Sequence, residues 1–137
     1  MANSVAFEQV IAVLPASDLA RARQFYTEKL GLTPIEDQAA GLFFQVSPSN
    51  GFLVYEAGSP ANGQHTQASF LVNDLDAAMS EMRSRGVTFE EYDIPGVHTE
   101  GGVVAFPNGR GAFFKDSEGN ILGVNELNAE ARAQMGI

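Results

Sequence analysis

The sequence repeats itself, and the repeat constrains the fold more than any other feature. Ser17-Asp18-Leu19 recurs as Asn73-Asp74-Leu75, and Leu30-Gly31-Leu32-Thr33 recurs as Arg85-Gly86-Val87-Thr88. The stretch from Ser49 to Glu56 is answered by the stretch from Glu118 to Asn125. Self-similarity of this kind implies one supersecondary unit used twice. Each half reads as a βαβββ unit, whose single helix covers one sheet face and leaves the other to be buried against something else. The expected fold class is α+β: two tandem βαβββ modules forming a cupped mixed sheet with helices on the outer face. Module one spans about 5–57, a linker 58–64, module two about 65–127 and a C-terminal tail 128–137. The length of 137 residues suits a single domain with a real core.

Local chemistry supplies the elements. Val5 to Leu14, rich in Val and Ile, reads as a buried strand that Pro15 ends. Ser17 or Asp18 caps a helix on which Leu19, Ala22, Phe25, Tyr26 and Leu30 fall at helical spacing, and Gly31 closes it in a left-handed conformation. Strands are expected at Thr33 to Asp37, Leu42 to Ser47 and Gly51 to Ala57, joined by turns at 37–41 and 47–51. After the linker-like run from Gly58 to Gln64, Thr66 to Val72 is a strand and Asn73 or Asp74 a cap. Leu75, Ala78, Met79 and Met82 then form a helical stripe that Gly86 ends. Val87 to Tyr92 and Val103 to Phe106 are the next strands, separated by the Gly-rich loop Asp93 to Gly102, which is placed to act as a lid. In the stretch from Lys115 to Glu126, Asp116, Ser117, Gly119 and Asn120 form a tight turn. It joins a strand carrying Ala112-Phe113-Phe114 to one carrying Ile121-Leu122-Gly123-Val124. Asn128 to Met135 is a short terminal helix.

Charge and composition narrow the function. Lys and Arg total 8 against 17 Asp and Glu, a net charge of -9, which argues against a nucleic-acid groove. No apolar run approaches the roughly 20 residues of a membrane-spanning helix, and Met1 to Gln9 carries no secretory signal pattern. The absence of cysteine removes disulfides, thiolate metal sites and cysteine nucleophiles. A cytoplasmic location and no membrane partner are the expectations.

The ordered motifs resemble the vicinal-oxygen-chelate superfamily, also called the glyoxalase/bleomycin-resistance/dioxygenase superfamily, over roughly 7–126. The carriers are Ser17-Asp18-Leu19 with Phe25-Tyr26 and Leu30-Gly31-Leu32, then Val72-Asn73-Asp74-Leu75 with Arg85-Gly86-Val87, then the run from Phe114 to Asn120. The resemblance implies a divalent metal held by His, Gln or Glu side chains from the first and last strands of each unit. Those positions fall on Ile11, Leu53, Gln67 and Gly123, of which only Gln67 has a donor. Imidazole or carboxylate donors in number are what such an ion wants, so no metal or other cofactor is predicted. What remains is the superfamily's other use: a small-molecule-binding protein sequestering an aromatic or antibiotic-like ligand, as a homodimer. The alternative is a glyoxalase-like lyase, isomerase or dioxygenase with a divalent metal at a relocated site, or with a metal-free mechanism.

Several side chains are placed to serve such a cup. Gln67 and Tyr55 are cup-facing candidates, the ring of Tyr55 offering a stacking surface and its hydroxyl an orienting group. Asn125, two residues beyond Gly123, is a polar candidate on the same face. Phe43-Phe44 and Phe113-Phe114 must each put one ring on each face of a strand, and Phe113 is the cup candidate of its pair. His98, in the 93–102 loop, completes the ligand-binding set, and Arg110, between two glycines, sits in an exposed turn.

Overall fold

The computed structural model describes residues 5–6, 9–38, 41–48, 50–59, 61, 63 and 65–137, with the backbone alone at 36–38. Ala39, Ala40 and Ser49 of the expected turns, Pro60, Asn62 and Gln64 of the expected linker, and Phe7 and Glu8 of the expected first strand lie outside the described residues.

The first half runs β1 (Ala12–Ala16), α1 (Leu19–Leu30), β2 (Pro34–Gln38), β3 (Gly41–Ser47) and β4 (Asn50–Glu56). The second runs β5 (Thr66–Leu71), α2 (Leu75–Ser84), the short β6 (Asp93–Ile94) and β7 (Val97–His98), then β8 (Val103–Phe106), β9 (Gly109–Lys115) and β10 (Ile121–Leu127), followed by α3 (Ala129–Met135). Each half builds a four-stranded mixed sheet, in the orders β1-β4-β3-β2 and β5-β10-β9-β8. β1 pairs parallel to β4 and β5 parallel to β10, while the other neighbours are antiparallel. The α+β class and the doubled βαβββ plan are those the repeat implies.

The recurring Asp-Leu pairs start the helices. Asp18 accepts from Arg21 N at 3.0 Å and Asp74 from Ala77 N at 3.0 Å, each satisfying an N–H that the first turn leaves free. Gly31 ends α1 at φ 69, a backbone conformation that side chains resist. Helix residues Ala22, Tyr26, Leu75 and Met79 meet Leu14, Phe44, Val54, Phe114, Leu122 and Val124 in one core. An aromatic chain from Tyr26 through Phe44, Phe52, Phe70 and Phe114 to Phe89, with centroids 5.2 to 6.4 Å apart, carries that core across both halves. Each such side chain contributes about 1.5–3 kcal/mol by leaving water.

Three expectations are corrected. Pro15 lies inside β1 rather than ending it, because β1 is the edge of its sheet and no neighbour asks for the missing N–H. Pairing with β4 begins at Ala12, opposite Phe52, so the apolar residues before it are not a buried strand: Val10 is 91% exposed. Val87 to Tyr92 makes only the bridge Phe89–Phe114, since β8 occupies the rest of the β9 edge. The 93–102 loop holds the β6–β7 hairpin, and its end is tied down on the α2 side. Thr99 Oγ1 and Gly102 N donate to Glu91 Oε1 at 2.8 and 2.7 Å, and Arg83 donates to Gly101 O at 2.9 Å.

Candidate functional site

The turn after β9, the most distinctive stretch of the sequence, is a join and not a reactive centre. The buried Tyr26 hydroxyl donates to Asp116 Oδ2 at 2.6 Å, and Asn120 Nδ2 donates to the same oxygen and to Pro15 O. Asp116 Oδ1 accepts from Glu118 N and Asn120 N. Burial first, then the neighbouring Asp116 charge and its hydrogen bond, push the Tyr26 hydroxyl far above the ordinary phenol range. Glu118 accepts from Ser17 N, Asp18 N and the Arg21 guanidinium, so a carboxylate from the second half sits at the N-terminus of the first helix. Arg110 is likewise committed, to Asp76 and Glu126, the latter also accepting from Leu75 N at the start of α2.

The sheet faces turned away from the helices are different. Strand alternation puts Phe52 and Val54 in the core, so Leu53 and Tyr55 face the other way. Val13, Leu53 and Phe43 are direct cross-strand partners, and the Phe43 ring lies over Gly51, where a Cβ would be 2.6 Å from Cζ. The matching row of the second sheet is Ser69, Gly123 and Phe113, with Leu71, Asn125 and Gly111 beside it. A Cβ at Gly123 would stand 2.6 Å from Ser69 Oγ and 3.2 Å from Asn125 Nδ2, and one at Gly111 would fall on Asn125 Oδ1. The two glycines thus make the room in which Asn125 lies. Tyr92 meets Phe113 edge-on at 5.5 Å. Val13 and Leu71 are about half exposed, at 50% and 42%, unusual for strand aliphatics facing nothing.

A cavity of about 740 Å³ opens where the two sheets meet. Ile11 and Ala12 form one wall, Ser69 and Leu71 the other, and Arg132 and Ile137 from the C-terminal end close it. The structure therefore brings Ile11 to the edge of the Ser69 row. It puts Tyr55 on the first sheet, Asn125 and Phe113 on the second, and leaves His98 apart on the hairpin. There the exposed His98 ring has Nδ1 3.3 Å from Asp93 and Nε2 3.5 Å from Glu100, two carboxylates that raise its pKa above the usual histidine value. Cross-strand register pairs Val13 with Leu53 and Ser69 with Gly123, two residues after Ile11 and Gln67 in the chain. Gln67 falls at the irregularity where Ile121 pairs with Thr66 but Leu122 with Ala68. A β-bulge leaves little local signal beyond the alternation it breaks.

At the positions the resemblance implies, Ile11, Leu53, Gln67 and Gly123 offer a divalent ion a single amide group. Moving the first-strand positions by two residues replaces Ile11 and Gln67 with Val13 and Ser69, which adds neither imidazole nor carboxylate. Among the described residues no group of three or more His, Cys, Asp or Glu is placed to hold a metal.

Two βαβββ units, each with a four-stranded mixed sheet, are the arrangement of a vicinal-oxygen-chelate fold. The chain belongs to the Glyoxalase/Bleomycin resistance protein/Dioxygenase superfamily, whose family profile matches residues 8–124. Its fold is similar to that of TnmS3, an antibiotic binding protein from Streptomyces sp. CB03234, with TM-score 0.66 and 26% identity, over 91% of this chain and 100% of that one. It is also similar in fold to the fosfomycin resistance protein FosX from Listeria monocytogenes, with TM-score 0.67 and 15% identity, over 93% of this chain and 99% of that one. Lactoylglutathione lyase from Agrobacterium tumefaciens shares the fold too, with TM-score 0.64 and 18% identity, over 89% of this chain and 96% of that one. No curated protein matches in sequence. Among the described residues no helix is long and apolar enough to cross a membrane.

Proposed function

We propose that this protein binds and sequesters a small, planar, antibiotic-like aromatic molecule without a metal ion, and that it does so as a homodimer. The observation that carries the reading is the composition of the open face. Its rows hold Val13, Leu53, Phe43, Tyr55 and Phe113, with the uncharged polar side chains Ser69 and Asn125 among them. Rings of this kind stack on a flat ligand, and a few fixed amide or hydroxyl groups orient it. The 26% identity to an antibiotic binding protein supports the same reading. In this proposal Tyr55, Asn125, Gln67 and Phe113 contact the ligand, and His98, flanked by its two carboxylates, does not. A second copy laid over exposed Val13, Leu71 and Tyr55 completes the cup.

The test combines elemental analysis with calorimetric titration of an anthraquinone in the presence of EDTA. Saturable binding with EDTA, no metal in the purified protein and melts unmoved by zinc, nickel, manganese or iron(II) are the expected results. Stoichiometric metal, or a melt raised by one of the ions, would replace this reading with a metal-dependent enzyme, since a bound ion stabilises the folded state by mass action. Gln67→Ala is expected to weaken ligand binding, with no metal-dependent activity to lose.

A further inference from the structure

We propose that a second, separate site lies on the helix side of the molecule and takes a small monocarboxylate with an apolar tail. A cleft of about 250 Å³ opens between the C-terminal ends of α1 and α2. Leu30, Leu32, Phe70, Val72 and Met82 line it. Phe70 and Val72 line this cleft and the larger cavity alike, so the two share a wall at the end of β5, while Leu30, Leu32 and Met82 belong to the cleft. A dry cavity of about 150 Å³ holds benzene, so this one has room for a tail of roughly eight carbons.

The chemistry of the mouth selects the head group. Arg85 lies across Gly31, its guanidinium nitrogens 3.1 and 3.3 Å from where a Cβ would stand there. Lys29 reaches the other way, Nζ lying 2.6 Å from the corresponding point at Gly86. Both cations sit at helix C-termini, where the exposed carbonyls favour positive charge. Glu81 engages Arg85 through Nε at 3.5 Å, which leaves the terminal guanidinium nitrogens for another anion. Lys29 is half-buried and has no hydrogen bond or ion pair among the described residues. Arg85 and Glu81 are the charged residues lining the cleft, and Lys29, beside Gly86, adds a second cation near the helix ends, in a chain with only 8 Lys and Arg against 17 Asp and Glu. A carboxylate on an apolar tail satisfies both parts of the cleft: the tail fills the hydrophobic interior and the head meets Lys29 and the free edge of Arg85.

The experiment is calorimetric titration with sodium octanoate, 1-octanol and acetate. It uses the natural protein, Ala78→Phe, which fills the cleft from α2, and the surface double variant Lys29→Gln/Arg85→Gln. Octanoate is expected to bind saturably and acetate not at all. Ala78→Phe should abolish octanoate binding. The double variant should weaken octanoate roughly tenfold, the effect of a lost charge-assisted hydrogen bond, while octanol changes less than about twofold. Methyl NMR should place the octanoate shifts on Leu30, Leu32 and Met82. No saturable binding overturns the proposal, and so do unchanged octanoate affinity in the double variant or shifts confined to Val13, Leu53 and Leu71. Because the double variant alters only the charged ends of two partly exposed side chains, it decides the matter even if Ala78→Phe does not fold.

Discussion

Replacing Glu118 by glutamine tests how the two halves are held together. The Glu118 side chain has no exposed surface and takes hydrogen bonds from Ser17 N at 2.9 Å, Asp18 N at 3.0 Å and Arg21 Nε at 2.7 Å. Burial alone would raise its pKa, but the Arg21 guanidinium, the Asp18 N–H and the Ser117 hydroxyl outweigh that and lower it from 4.5 to about 2. At 1.36 kcal/mol per pK unit, a carboxyl ionising at about 2 when folded and 4.5 when unfolded contributes about 3 kcal/mol at neutral pH. Arg21 is half exposed, 51%, so solvent screening makes this figure an upper bound. The folded value lies below the unfolded one, so the contribution is complete above pH 4.5 and is lost as the pH falls towards 2. At pH 3 about 1.4 kcal/mol of it remains. Glu118→Gln removes the charge and offers one acceptor oxygen in place of two. Urea denaturation of both proteins should show a gap of about 2–3 kcal/mol at pH 7 that shrinks to about 1 kcal/mol at pH 3. A gap equal at the two pH values would refute the reasoning, because it would mean that the ionised carboxylate is not what joins the halves.

Other substitutions probe the core, the open face and the hairpin. Tyr26→Phe removes a buried 2.6 Å hydrogen bond to a carboxylate and should cost about 1.5–3 kcal/mol in urea denaturation. Gly111→Ala puts a methyl group where Asn125 Oδ1 lies; aromatic-ligand affinity should drop roughly tenfold, the loss of one orienting hydrogen bond, while circular dichroism stays that of the natural fold. The His98 ring, between Asp93 and Glu100, should titrate by NMR above the ordinary histidine value, and Asp93→Asn should bring it down. An unchanged titration in Asp93→Asn would show that the carboxylate is not the cause.

Much of the fold was legible because its signals are local. Asp18 and Asp74 cap their helices with side chains three residues from the N–H groups they satisfy. Gly31 ends α1 through its own backbone freedom, and the pairs Phe43-Phe44 and Phe113-Phe114 had to divide between two faces by alternation alone. The repeat therefore determined the class and the two halves, and alternation determined that one ring of each pair turns away from the helices.

Tertiary structure decided what depends on distant partners. Asp116 looks like a turn former from its neighbours and Glu118 lies inside the same turn, yet Glu118 holds Ser17, 101 residues away, and Asp116 holds Tyr26, 90 away. Pro15 ends a strand by local rule and continues one because the edge of a sheet demands no N–H there. Val87 to Tyr92 has the composition of a strand, but the edge it needed was taken by β8. Counting from the caps gives the family's first-strand positions as Ile11 and Gln67, while which residues stand directly beside Leu53 and Gly123, Val13 and Ser69, is a matter of cross-strand register. The cleft under Arg85 and Lys29 exists only because two helix ends, remote in sequence, come together over one sheet. Caps, periodicity and glycine conformation are written in neighbouring residues, but the register and edges of a sheet are set by whichever strand wins the pairing.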